Sequence, residues 1–458
     1  MKKLVIILIS ILVTSALILG ACSAAPSTPA PAPPSTTAAP APPPATSAAP
    51  PPATTAAPPP PTTSAPAPPP PSTSQPPAAT GPLIIGELGP RTGWGGVYGT
   101  DGMDLTLAYA DYYNARGGIN GRQIKIVQYD DESEPEKDML YVKKLIENDN
   151  ALVIGGPIFT GQAEAAIQAA RNQGVPLIYE LPFNEDPPET HVSGSNIFGI
   201  DTSGVRYIQA TVGQLKKLGA KTLAILASAD DSGQEDVGFI TEVAKAAGLQ
   251  VIMTERIDSN AIDATPQVTK IKNAKPDAIH LGGSGSFVGV VVKGIKLAGI
   301  EIPVAATPGV MAKETFVLIK GYEPKNFIIT ALRPHLAAFG IMPAESNYMK
   351  LSNRMWDIWK AKYGESRGNQ TDTFLTWIAW NFDYMDLAVE AIKQAGPLPA
   401  DVKAARKAIN DALENKIKNF EQILGTRTLT PTDHIGLNTA TQEIVLLTVQ
   451  NGNVIQLK

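Results

Sequence analysis

Four histidines and a single cysteine limit the chemistry this 458-residue chain can perform. His191, His280, His335 and His434 lie far apart, without metal-ligand spacing and without a nucleophile motif beside them, so no catalytic set is visible. The acidic run "DDESEPEKD" (130–138) lacks the EF-hand pattern and its glycine, and reads as a solvated loop and helix start. "GGSGSFVG" (282–289) follows a strand-like run, but its glycines do not match the dinucleotide fingerprint. No cofactor is implied, no metal is implied, and the chain reads as a binder, not an enzyme. One segment does suggest recognition chemistry: "VIGGPIFTGQ" (153–162). A strand, a small-residue loop and a helix start would present free backbone N–H groups around Gly161, together with the Thr160 hydroxyl, to an anionic group. The more ordinary role for Thr160 is to cap its own helix.

The lone cysteine, Cys22, cannot close an intramolecular disulfide. It follows a basic start (Met1, Lys2, Lys3), an apolar run from Leu4 to Leu19, and the small residues Gly20 and Ala21, the order of a secretory signal over residues 1–21. The run is short for a membrane span, which needs about 20 apolar residues. Leu19-Gly20-Ala21-Cys22 resembles the bacterial lipoprotein lipobox, which implies cleavage before Cys22 and lipid attachment to it. Acyl chains contribute about 0.8 kcal/mol per buried CH₂, so such an anchor holds a soluble domain at a membrane surface. Residues 23–82 then contain 24 of the chain's 41 prolines, with Ala, Ser and Thr making up nearly all the rest and no charge. That composition cannot build a core and favours an extended, disordered spacer of about 3.1 Å per residue. The expected location is therefore extracytoplasmic, lipid-anchored to the cell membrane.

The folded part is expected over residues 83–458, long enough for two lobes. The whole chain carries 38 Lys and Arg against 43 Asp and Glu, with no basic run, which argues against a nucleic-acid partner. Strand-length apolar runs alternate with helical patterns: "LIIGELG", "RQIKIVQYDD", "ALVIGG" and "VPLIYE" in the first part, then "TLAILAS", "QVIMTERI", "DAIHLGG" and "PVAAT" after residue 203. Such alternation predicts two α/β lobes with parallel sheets, with ligands at the carboxyl ends of the strands. In the helix predicted over 371–396, the spacing of Trp377, Trp380 and Tyr384 fits a packed face better than a ligand cage.

The order of these segments resembles the branched-chain amino-acid-binding family of type I periplasmic binding proteins. "GELGPRTGWGGVYGTDGMDLTLAYADYYNARGGINGRQIKIVQYDDESEPEKDM" is similar to that family's opening, "VIGGPIFTGQ" to its second-site loop, and "TPTDHIGLN" (430–438) to a late turn. The resemblance implies two doubly wound, Rossmann-like lobes joined by three crossovers, closing by a hinge around a small-molecule solute. Lobe one would hold about 83–203 and 334–430, and lobe two 204–333 and 431–458. It also implies an ABC permease as membrane partner, no nucleic acid and no cofactor. At the site, Thr160 stands where the family usually has the Ser that holds the ligand carboxylate. Trp94 and Tyr98, in the loop after the first strand, would form a lobe-one wall; the plain alternative for both is a surface aromatic.

Departures from the family pattern bear on the ligand. Pro308 stands where the family's lobe-two acid would fall, Ser232 and Ser284 stand at aromatic positions, and "ELPFNEDPP" puts Leu181 and Phe183 where small residues and a hydroxyl are usual. The pattern implies a carboxylate recogniser kept and an ammonium recogniser lost, with Glu180, Asp230 or Asp231 as possible substitutes for the acid. An unpaired ammonium in a closed cleft costs several kcal/mol. The expected solute is thus a small molecule with an acid or polar head and an apolar body, with a standard aliphatic amino acid second. A sensor feeding a chemoreceptor or membrane kinase is the alternative to transport.

Overall fold

The structure is a computed structural model that describes residues 79–180, 196–285, 287–311, 315, 318–332, 336, 341–365, 375–437 and 444–457. These fall in the compact unit Thr73–Lys458; the other unit, Met1–Ser72, lies outside the described residues, and Cys22 with it. Residues before the expected boundary at residue 83 already contact the folded unit: Ala79 N–H donates to the Leu398 carbonyl (2.9 Å) and Arg122 Nε to the Gly81 carbonyl (2.6 Å).

The first sheet is parallel, in the order β2-β1-β3-β4-β5, from β1 (Leu83–Gly89), β2 (Ile124–Asp130), β3 (Val153–Gly155), β4 (Leu177–Tyr179) and β5 (Ile197–Gly199). Its crossover helices are α1 (Gly96–Asn114), α2 (Pro135–Glu147) and α3 (Thr160–Ala170). Strands β3, β4 and β5 are buried at every position, as a parallel sheet covered on both faces requires.

The alternation resumes with α4 (Gly204–Lys217), β6 (Thr222–Ser228), α5 (Asp231–Ala247), β7 (Gln250–Ile257), α6 (Thr265–Ala274), β8 (Ala278–Gly282), α7 (Phe287–Leu297), β9 (Val304–Ala306), a 3₁₀ turn at Pro308–Val310, and β10 (Phe327–Leu332). These strands build the second sheet, in the order β14-β13-β10-β9-β8-β6-β7. It is not wholly parallel, because β13 (Ile444–Gln450) runs antiparallel to β10 and folds back into β14 (Asn453–Gln456). The two-residue turn between them is Asn451-Gly452, both at positive φ, the chemistry a tight hairpin demands.

Helices α8 (Asn347–Tyr363), α9 (Leu375–Ala395) and α10 (Val402–Lys416), with the hairpin β11 (Phe420–Gln422) and β12 (Gly425–Arg427), return the chain to the first lobe. Trp380 and Tyr384 are wholly enclosed in its core, as their spacing predicts; the side chain of Trp377 lies outside the described residues. Two expectations need correction. Ile435 and Leu437 pack with Leu88, Ile154 and Tyr179, so the chain leaves lobe one later than the expected boundary at 430. Asp131 and Asp138, read as part of a solvated loop and helix start, are fully buried.

Arg427 ties two of the connecting segments together. Its buried guanidinium donates to the carbonyls of Gly199 (2.8 Å), Ile200 (2.9 Å) and Ile435 and to Gln422 Oε1 (2.7 Å). Burial lowers its pKa to about 10, while Asp383, Asp201 and Asp433 oppose the shift. Substituting Arg427 by Leu leaves three carbonyls and the facing carboxylates without their cation. A loss of about 3–5 kcal/mol is expected, read from urea unfolding. Lys at this position should rescue little, because one ammonium cannot reproduce the planar fork.

Candidate functional site

Both sheets reverse their strand order at one point. Strand β1 pairs with β2 on one side and β3 on the other, and β6 likewise pairs with β7 and β8. The loops leaving adjacent strands diverge there and open a crevice, the usual ligand position in open α/β sheets. On the first lobe the crevice is flanked by the loop after β1 and the β3–α3 turn, and on the second by the turns after β6 and β8.

The lobe-one wall is aromatic. The Trp94 ring lies 4.3 Å from that of Phe159, and Phe159 meets Tyr98 edge-on at 5.6 Å. Gly95 permits this packing, since a Cβ there would lie 2.4 Å from the Phe159 ring. Tyr98 falls in the first turn of α1, one step beyond the loop where it was expected, and is buried. Its hydroxyl reaches lobe two, accepting from Gly285 N–H (2.9 Å) and donating to the Gly309 carbonyl (3.4 Å). Neither Trp94 nor Tyr98 is a plain surface aromatic.

Thr160 opens α3 but does not cap it: Phe159 holds the N-cap position, without a side-chain cap bond. The Thr160 hydroxyl instead donates across the cleft to Glu235 Oε2 (3.0 Å). At Gly161 a Cβ would lie 2.5 Å from Asp231 Oδ2. Two carboxylates of α5, four residues apart and so on one helix face, thus meet the N-terminus of α3, where unsatisfied N–H groups and the helix dipole favour negative charge. A cavity of about 130 Å³ opens here, lined by Trp94, Ser133, Pro135, Phe159, Thr160, Gly161, Gln162, Asp230, Asp231 and Ser232. Among the described residues its lining contains two carboxylates and no cationic side chain.

Among the remaining candidates, Asp230 caps α5. Its carboxylate takes Gly233 N–H (2.9 Å) and the hydroxyls of Ser228 (2.6 Å), Ser232 (2.8 Å) and Ser259. Asp230 and Ser232 are therefore engaged in shaping the turn. Ser284 and Pro308 are buried beside each other's turns, with Ser284 Oγ 2.8 Å from where a Gly309 Cβ would lie. They support the backbone that Tyr98 contacts and do not line the cavity. Leu181 and Phe183 lie outside the described residues.

Glu180 lies away from the cavity, inside lobe one. Its Oε1 accepts from Asn381 Nδ2 (2.8 Å), its Oε2 has no partner, and the same Nδ2 lies 3.5 Å from Glu87 Oε1. Burial, then the nearby Glu87, pushes the Glu180 carboxyl well above the ordinary glutamate range. Burial raises Glu87 to about 7, against hydrogen bonds from Thr106 and Gln128 that lower it. The sequence reading missed Glu235 and Phe159. The signal for Glu235 was its spacing of four from Asp231 on a helix opening at a strand's carboxyl end.

The periplasmic binding protein family model matches residues 82–453. An "amino acid binding protein" of Pseudomonas aeruginosa is 26% identical over 240 residues, 52% of this chain and 63% of that protein. A leucine-, isoleucine-, valine-, threonine- and alanine-binding protein of the same organism is 26% identical over 261 residues, 56% of this chain and 68% of that protein. The chain thus spans about two thirds of the length of these relatives. An extracellular ligand-binding receptor from Rhodopseudomonas palustris HaA2 superimposes with a TM-score of 0.70 at 21% identity, over 82% of this chain and all (100%) of the other, a likeness of fold.

The Glu87–Glu180 pair contributes a pH dependence, in the same direction as the other buried acids Asp201, Asp236 and Asp383. Unfolded, both carboxyls release their protons near the ordinary value of 4.5; folded, Glu87 keeps its proton to about 7 and Glu180 beyond the ordinary range. Across that window the folded chain binds more protons, so stability falls as pH rises. Urea midpoints should drop between pH 5 and pH 7 by this mechanism. Glu180→Gln, which retains an oxygen for Asn381, should flatten the profile; an unchanged slope would show that the pair does not control it.

Proposed function

The chain belongs to the periplasmic binding protein family, and on that premise we propose that it is the extracytoplasmic solute-binding lipoprotein of an ABC importer. Its solute is a small zwitterion of the amino-acid class. The observation that carries this reading is the hydrogen bond from Thr160 across the cleft to Glu235, beside Asp231 and under the Trp94–Phe159 wall. A solute entering between the lobes replaces this contact at both ends. Its carboxylate takes the Thr160 hydroxyl and the free N–H groups of α3, and its ammonium takes the carboxylates of Glu235 and Asp231.

A carboxylate without an amine satisfies only one side. It leaves the acids of α5 facing another negative charge, and two unit charges 4 Å apart repel by about 4 kcal/mol at an effective dielectric of about 20. The ammonium recogniser that the sequence reading judged lost at Pro308 is thus supplied, in this proposal, from the first turns of α5. The names of the two Pseudomonas aeruginosa relatives agree with an amino-acid class of solute. Lipid attachment at Cys22 and the spacer 23–82 would hold the domain near its permease. No helix among the described residues is long and apolar enough to cross a membrane.

A thermal-shift screen of amino acids, aliphatic and aromatic carboxylates, amides and sugars tests the proposal. A solute at 100 times its Kd should add about 2.7 kcal/mol of stability. Amino acids are expected to lead, and Thr160→Val to weaken the best by about 1–3 kcal/mol in calorimetry. Glu235→Gln should weaken an amino acid and improve its amine-free analogue. A carboxylate lacking an amine as the best solute would sink the role given to Glu235 and Asp231.

A further inference from the structure

Asp131, after β2, and Asp138, in the first turn of α2, are fully buried without bases to match. Asp131 Oδ1 accepts Ser133 N–H (2.7 Å), but Asp131 Oδ2 and both carboxylate oxygens of Asp138 have no hydrogen-bond partner. Burial and, after it, the nearby Asp131 charge push the Asp138 carboxyl up, and burial likewise raises that of Asp131. The basic residue of the run, Lys137, turns to Glu132 (2.7 Å) and Glu134 (3.2 Å). The adjacent Asp130 carboxylate is engaged by Arg91 N–H, Thr92 and Glu132 N–H.

We propose that Asp131 and Asp138 together bind a hard cation, calcium foremost. Three buried carboxylate oxygens without a hydrogen-bond partner call for either protons or a counter-charge, and a cation supplies the second. The donors are oxygens only. Among the described residues no third His, Cys, Asp or Glu completes a cluster, so backbone carbonyls and water must supply the other ligands. Such a shell suits calcium and disfavours zinc or copper. The bound ion would brace the solute site. Asp131 holds Ser133, which with Glu132 sits at positive φ (66° and 54°). The Ser133 hydroxyl in turn accepts Gly95 N–H (2.9 Å) next to Trp94 and donates to the Thr92 carbonyl (3.2 Å). The cation proposal does not depend on the identity of the solute.

The test is thermal unfolding of chelator-treated protein at neutral pH with calcium, magnesium or sodium chloride added, alongside calorimetric titration with calcium alone. Calcium is expected to raise the melting temperature by several degrees and to bind saturably at one ion per chain. Magnesium and sodium should have smaller effects, and Asp138→Asn and Asp138→Leu should abolish the response. No saturable binding to the unaltered protein overturns the proposal, even if both variants fail to fold. An equal response in either variant also overturns it, by tracing binding to surface carboxylates. So does a chain indifferent to all three cations, the behaviour of a pair held by protons.

Discussion

The buried N-terminus of α3 is the feature around which the cleft is arranged. A helix leaves its first N–H groups without partners and carries a partial positive charge there, so something negative must face them. The turn from β3 into α3 brings no side-chain cap of its own; from the other lobe Glu235 accepts the Thr160 hydroxyl and Asp231 lies against Gly161. The same electrostatic need that would admit a solute carboxylate, in the proposed function, is met here by acids of the other lobe. Tyr98 adds a second bridge, one hydroxyl serving a backbone donor and a backbone acceptor of lobe two.

Positioning these groups depends on buried polar contacts far from the cleft. The hairpin β11–β12 is held on α9 by Asp383, which accepts from Ile423 (3.0 Å) and Leu424 (2.7 Å), and Arg427 then gathers the carbonyls of Gly199, Ile200 and Ile435. Asp201, beside the same connection, takes Trp380 Nε1 (3.0 Å) and the Tyr207 hydroxyl (3.0 Å). Connecting segments cannot satisfy their backbone in a sheet, so buried side chains must do it. A single guanidinium spanning two of them couples their geometry.

The interior of lobe one accepts acids that the surface would hold without cost. Glu87 and Glu180 share Asn381, and Asp131 and Asp138 are both fully buried near the loop that carries Trp94. Each pair is destabilising if both members are charged.

Period and spacing were enough to read much of this from sequence. Alternating apolar runs and helices made two α/β lobes legible, because parallel strands buried on both faces leave an unbroken apolar signature. The small-residue turn before Thr160 marked a helix start able to receive an anion, and the glycines around Trp94 marked a tight loop. What the sequence could not express was which side chains meet across the cleft. Glu235 and Asp231 reach α3 only because two switch points face each other, a relation with no trace in local pattern. Glu180, adjacent to the cleft in sequence, turns inward because Asn381, 201 positions later, offers its N–H. Asp138 reads as a solvated helix start until packing encloses it. Local chemistry follows from neighbours along the chain, whereas burial and pairing follow from contacts between distant segments, which only the tertiary structure decides.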